Sequence, residues 1–214
     1  MVGNWACVAL TLMVTGLYEA LLMLPQRRRL QPLAPARHAG LREEWFRLVS
    51  TQQGSEVLAV QTLRNSLMSA TMLASTTALA LTGTATLAAP SLHQGLATAG
   101  GIAHLGPNLL LELVLLALLS ASLVSTLMAV RFYNHAGFIG GMPVASAARL
   151  RWTATGVLYV HRAGLLYGLG LRQLVLVVPV VATLLMPAAG PVAAVLVVAV
   201  LYSLERLGGG DALG

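Results

Sequence analysis

The sequence predicts an all-α integral membrane helical bundle with four or five transmembrane helices, and three observations carry that prediction. Apolar residues make up 57% of the 214 and charged ones only 9%, the composition of a chain solvated by lipid rather than of a soluble core inside a charged surface. The apolar residues gather into runs of roughly 20, long enough to cross a hydrocarbon layer. All 13 basic side chains are arginines, and they fall in segments that one orientation places on the same side of the membrane.

The first run covers 5–24. Nothing basic precedes it and Arg27, Arg28 and Arg29 follow it, the reverse of a secretory leader, so it is expected to remain as a span. Next, Leu41, Trp45 and Leu48 recur on one helical face with Arg42, Glu43, Glu44 and Arg47 on the others. That pattern predicts a short helix lying on the leaflet, with Trp45 at headgroup depth. The second span, 67–87, extends backwards as a protruding helix, since Val57, Val60, Gln61 and Arg64 continue the pattern without a Gly or Pro break. Pro90, Gly95, Gly100, Gly101, Gly106 and Pro107 mark a loop before the third span, 109–130. Pro143 is expected to open a helix that runs through Arg149 and Arg151 into the fourth span, 163–186, interrupted at most by Gly168, Gly170 and Pro179. Pro187, Gly190 and Pro191 then reverse the chain into a last run, 190–206, which is either a fifth span or half of a kinked hairpin. Residues 208–214 read as a flexible tail on a single domain, 1–207.

The segments 25–64 and 131–162 hold most of the arginines, and the loop around Pro90–Pro107 holds none. By the positive-inside rule both long segments are cytoplasmic and the amino terminus faces outward. Exclusive use of arginine suggests a GC-rich bacterial genome, hence a bacterial inner membrane. A net charge of +6 raises nucleic acid as a partner, but arginines flanking apolar runs have lipid headgroups as the nearer one. The lone Cys7 excludes an intrachain disulfide, a CxxC zinc site and a covalent c-type haem. His93 and His104 fall in the outer loop, and His135 and His161 in the cytoplasmic segments. They form neither a mid-membrane pair nor an HExxH motif, so no metal or cofactor is expected. Asp211 is the only aspartate and no phosphate-binding loop is present, so no catalytic residue is assigned and no enzymatic activity is expected.

Three segments resemble the uncharacterised membrane proteins of domain-of-unknown-function family 599, found in bacteria and plants. They are LAVQTLRNSLMSATMLASTTAL at 58–79, RFYNHAGF at 131–138 and GLRQLVLVVPVVATLLMPAAGPV at 170–192. The resemblance implies a multi-span helical membrane protein and brings no activity, cofactor or site residue with it. Where plant members carry aromatics after Gly-Leu-Arg, this chain has Gln-Leu-Val-Leu.

Charged groups near the hydrocarbon are the candidates for function, because each is costly unless paired, hydrated or able to snorkel. Glu19 and Arg172 lie at matched depth in spans one and four and form a candidate buried ion pair. Span two carries Arg64 at its mouth and then Asn65, Ser69, Met72, Thr76, Ala80 and Gly83 at steps of three and four. Such a face either lets another helix approach closely or lines a hydrated pore. The leading reading is a non-enzymatic membrane protein that forms homo-oligomers or joins other subunits in the lipid bilayer. Its rival is an oligomeric channel or transporter favouring anions, its cytoplasmic mouth ringed by Arg64, Arg131 and Arg172; a weaker third is a haem- or quinone-linked redox subunit. The orientation is directly testable: with Cys7→Ser, a His93→Cys variant should react with an impermeant maleimide in intact cells. Labelling only after permeabilisation overturns it.

Overall fold

The computed structural model describes residues 2–23, 34–98 and 106–207, so the expected tail at 208–214 and the Arg27, Arg28, Arg29 cluster lie outside the described residues. The helices are α1 (Val2–Met23), α2 (Ala34–Val49), α3 (Glu56–Thr98), α4 (Pro107–Gly140), α5 (Ala147–Val175), α6 (Val177–Leu185) and α7 (Ala189–Leu207). α5 and α6 are one apolar helix interrupted at Leu176, and with α1, α3 and α4 they make four helices long and apolar enough to cross a membrane. The interruption has a local cause. Pro179 has no N–H to offer the Val175 carbonyl four residues back, and the ladder breaks there.

Three expectations change. The loop in the segment 131–162 is shorter than expected: α4 continues unbroken past 130 to Gly140, and α5 begins at Ala147. Pro143 does not open α5 either. Ser146 caps it, its side chain accepting from the Arg149 backbone N–H at 3.1 Å, because a serine hydroxyl satisfies a first-turn donor that proline cannot reach. Pro90, expected in a loop, lies inside α3.

At about 1.5 Å per residue, α3 is about 64 Å long and α4 about 51 Å, far more than a hydrocarbon layer of about 30 Å. The packing register shows where the excess goes. α4 runs antiparallel to α3, with Gly140 against Ala59 and Leu63 and Glu112 accepting from Ser91 Oγ near the other end. It also runs antiparallel to α5, where Ser122 Oγ donates to the Gly170 carbonyl at 2.7 Å. Two cores result. An upper one gathers Val8, Leu111, Leu115, Leu119 and Val180 from α1, α4 and α6. A lower one gathers Phe46, Leu63, Tyr133, Ile139 and Val160 from α2, α3, α4 and α5. Among the described side chains, the only carboxylates and guanidinia of the upper level are Glu19, Glu112 and Arg172, whereas the lower level carries the rest. The upper level is therefore the part apolar enough to sit in a bilayer, and the lower level carries most of the charge.

The lower level is closed by α2. Ala39, Phe46 and Val49 face inward and are buried, while Leu41 and Leu48 are exposed. Trp45 turns toward the lower core, so Phe46 rather than Trp45 anchors this helix. Gly156 of α5 makes the room: a Cβ there would stand 2.5 Å from Phe46 Cε1 and 2.7 Å from Cζ. Gly156→Ala should destabilise the protein by about 1–3 kcal/mol through overpacking, despite the better helix propensity of alanine. Gly137→Ala, with nothing within 4 Å, should be neutral or stabilising in the same thermal melt in detergent, and equal behaviour of the two would refute the seat.

Candidate functional site

The face of α3 expected to carry function points away from the rest of the chain. Arg64, Asn65, Ser69, Thr76 and Gly83 are exposed, as is Met72 at 70%, and a Cβ on Gly83 would meet nothing within 4 Å. Its hydroxyls are turned onto their own helix, Ser69 Oγ donating to the Asn65 carbonyl at 3.1 Å and Thr76 Oγ1 to the Met72 carbonyl at 3.0 Å. Such back-bonding makes serine and threonine cheap next to lipid. Arg64, Met68, Met72 and Thr76 border a shallow groove along this face.

Arg64, Arg131 and Arg172 do not share one level. Arg64 follows Leu63, which meets Gly140, whereas Arg172 is two residues past Gly170, which is bonded to Ser122. About 27 Å of α4 separates Ser122 from Gly140. Arg131 is exposed on α4. A single chain thus offers a ladder of arginines rather than one tier of a ring.

Glu19 and Arg172 can be placed from a different pin. Thr183 Oγ1 of α6 donates to Thr11 Oγ1 of α1 at 3.3 Å, which aligns the two helices in depth. Counting along each helix, Glu19 lies about 12 Å and Arg172 about 16 Å below that contact, a difference of about 4 Å. Both Glu19 carboxylate oxygens are shielded from solvent. Laterally, α1 packs chiefly on α7.

Arg172 opens onto a cavity of about 440 Å³ between α2, α5 and α7, with His38 and Arg42 from α2 and Leu201 and Leu204 from α7 on its walls. Gly164 lets Arg42 lie down on α5: a Cβ there would stand 2.9 Å from the guanidinium carbon. The adjacent Glu43 is engaged elsewhere, by Arg47 Nη2 at 3.2 Å and by His161 Nδ1 at 2.6 Å. The histidine contact is off the N–H line and counts as electrostatic rather than as an aligned hydrogen bond.

At the far end of the lower level Arg149 is fully buried, at 0% exposure. Nη1 donates to the carbonyls of Ile139 and Met142, Nη2 donates to Ser50 Oγ at 3.1 Å, and the guanidinium lies 5.5 Å from the Phe46 ring centroid. One side chain thus ties the ends of α2 and α4 to the start of α5. Glu56, at the start of α3 and outside the bilayer, accepts from the Val144 N–H at 2.9 Å. That bond, helped by the charge of Arg149, holds its carboxyl below the usual carboxylate pKa. Arg149→Gln should cost about 3 kcal/mol or more, since charge-assisted hydrogen bonds to buried acceptors are lost. Arg151→Gln, on the exposed face, should stay within about 0.5 kcal/mol in the same melt. Similar losses from both would dismiss the buried clamp.

With this geometry in hand, comparison with known proteins gives one result. No curated protein and no solved structure matches the chain. The family described as "Protein of unknown function, DUF599" matches residues 6–208, a range that takes in both core levels, the α3 face and the α2–α5–α7 cavity. The chain belongs to the DUF599 family.

Proposed function

We propose that this multi-span membrane protein is a non-enzymatic subunit that self-associates through the outer face of α3. The observation that supports this reading is the run Asn65, Ser69, Met72, Thr76 and Gly83, which is small, partly polar and left exposed by the chain's own packing. Without a hydrophobic driving force between helices in lipid, close backbone approach supplies the attraction, and small residues permit it. The back-bonded hydroxyls of Ser69 and Thr76 favour packing over a hydrated wall, and the spread in depth of Arg64, Arg131 and Arg172 argues against a single selectivity ring. The same reading sets the protein in a bacterial inner membrane with its arginine-rich lower level in the cytoplasm, and keeps Glu19 and Arg172 as partners on the support of their matched depth.

Native mass in a mild detergent is the test. The wild-type chain should be an oligomer, and Ser69→Leu combined with Gly83→Leu should weaken it by about tenfold or more in dissociation constant, as loss of roughly 1.4 kcal/mol of packing implies. A wild-type monomer at every accessible concentration removes the proposal. Chloride flux through reconstituted liposomes would instead favour the channel.

A further inference from the structure

The cavity between α2, α5 and α7 joins two chemistries in one recess. Its cationic wall is Arg42 and Arg172 with His38, and its apolar wall is made by leucines that include Leu201 and Leu204. Among the described residues no carboxylate lines it and none lies within ion-pair distance of Arg42, since Glu43 is taken by Arg47 and His161. Arg42 is not a wandering surface side chain either, because Gly164 gives its guanidinium a bed on α5.

Depth narrows what such a recess can hold. Gly170 bonds to Ser122, about 22 Å along α4 from Pro107, so a layer about 30 Å thick that starts at Pro107 ends near the Gly164 bed of Arg42 and holds Arg172 within its lower margin. The leucine wall does not end in the cavity: Leu171 and Leu204 are themselves exposed on the bundle surface, the surface that acyl chains cover. A volume of about 440 Å³ is within the range of small-molecule sites, about 300–1,000 Å³. A soluble anion would leave the leucines wet, whereas a lipid satisfies both walls together. Guanidinium forks match phosphate oxygens, and basic recesses between membrane helices are suited to anionic headgroups.

We propose that this recess binds an acidic phospholipid, its phosphate held by Arg42 and Arg172 and an acyl chain running out along Leu201 and Leu204. The site is independent of the α3 face, and the five N–H donors of a guanidinium let Arg172 meet a phosphate as well as Glu19.

The test uses the full chain in detergent with added phosphatidylglycerol or phosphatidylcholine of identical acyl chains, read by native mass spectrometry. Phosphatidylglycerol should be retained about tenfold more tightly, and Arg42→Gln should remove that preference, as expected for one charge-assisted contact. Arg47→Gln changes the same charge on the same helix outside the cavity and should leave it intact. Arg172→Gln, from another helix, should reproduce the loss even if Arg42→Gln proves misfolded. Equal retention of the two lipids overturns the site, as does an Arg47→Gln effect equal to both cavity variants. Displacement of phosphatidylglycerol by an equal concentration of inorganic phosphate overturns the lipid as its occupant and assigns the recess to a soluble anion.

Discussion

A hydrocarbon layer about 30 Å thick cannot cover helices of about 51 and 64 Å, and the arrangement of every other element answers to that excess. α1 and α6 are short enough to pack on the upper half of α4 and contribute to the upper core, and α7 packs in turn on α1 and α6. The inner halves of α3 and α4 carry Arg64, Arg131, Asn134 and His135, which lipid would not solvate, so they need a second cover of protein and water. α2 and the first half of α5 supply it, with Phe46 seated on Gly156. α2 is therefore a structural wall of the projecting level as well as a helix near the membrane surface.

The projecting level in turn is fastened at its end by a charge. Burying a guanidinium costs several kcal/mol unless its donors are met. Here the acceptors are carbonyls at the carboxy-terminal ends of α4 and its following turn, where the helix dipole is negative, together with the Ser50 hydroxyl. Nε finds no acceptor, so the clamp is strong but not complete. Glu56 adds the nearest negative charge and is itself held by the Val144 N–H. Because its folded-state pKa is depressed, its contribution to stability is present above the unfolded carboxyl pKa and is lost as pH falls through the lower, folded value. Only acid below the usual carboxylate range therefore removes this contribution at the far end of the bundle.

How much of this the sequence disclosed follows from what a linear pattern contains. Fold class and span number were legible because run length alone decides whether a helix crosses a bilayer. The α3 face was legible because steps of three and four survive into structure as a stripe. The extension of α4 from 131 to 140 was not, since interior contacts rather than apolar periodicity hold it together past Arg131, and Pro143 drew attention away from the Ser146 cap. Arg149 and Arg151 look alike in the chain, yet two residues turn a helix by about 200°, which puts one in the core and the other in water. A ring of Arg64, Arg131 and Arg172 was plausible only while the pairing register was unknown. Depth is a property of which residues face each other, and no single segment encodes it.

The two proposed surfaces do not compete for space. α3 packs chiefly on α4 and meets α2 and α5 only marginally, while α2, α5 and α7 bound the cationic recess on another side. An assembly built through Ser69, Thr76 and Gly83 therefore leaves Arg42 and Arg172 facing the bilayer, where an acidic lipid reaches them laterally without crossing water. The serines and threonines bonded back to their own helices leave the apolar level with few polar groups to offer a partner. On the proposed reading, recognition of a headgroup falls to the boundary between the two levels, where Arg42 lies against Gly164 and Arg172 opens onto the same recess.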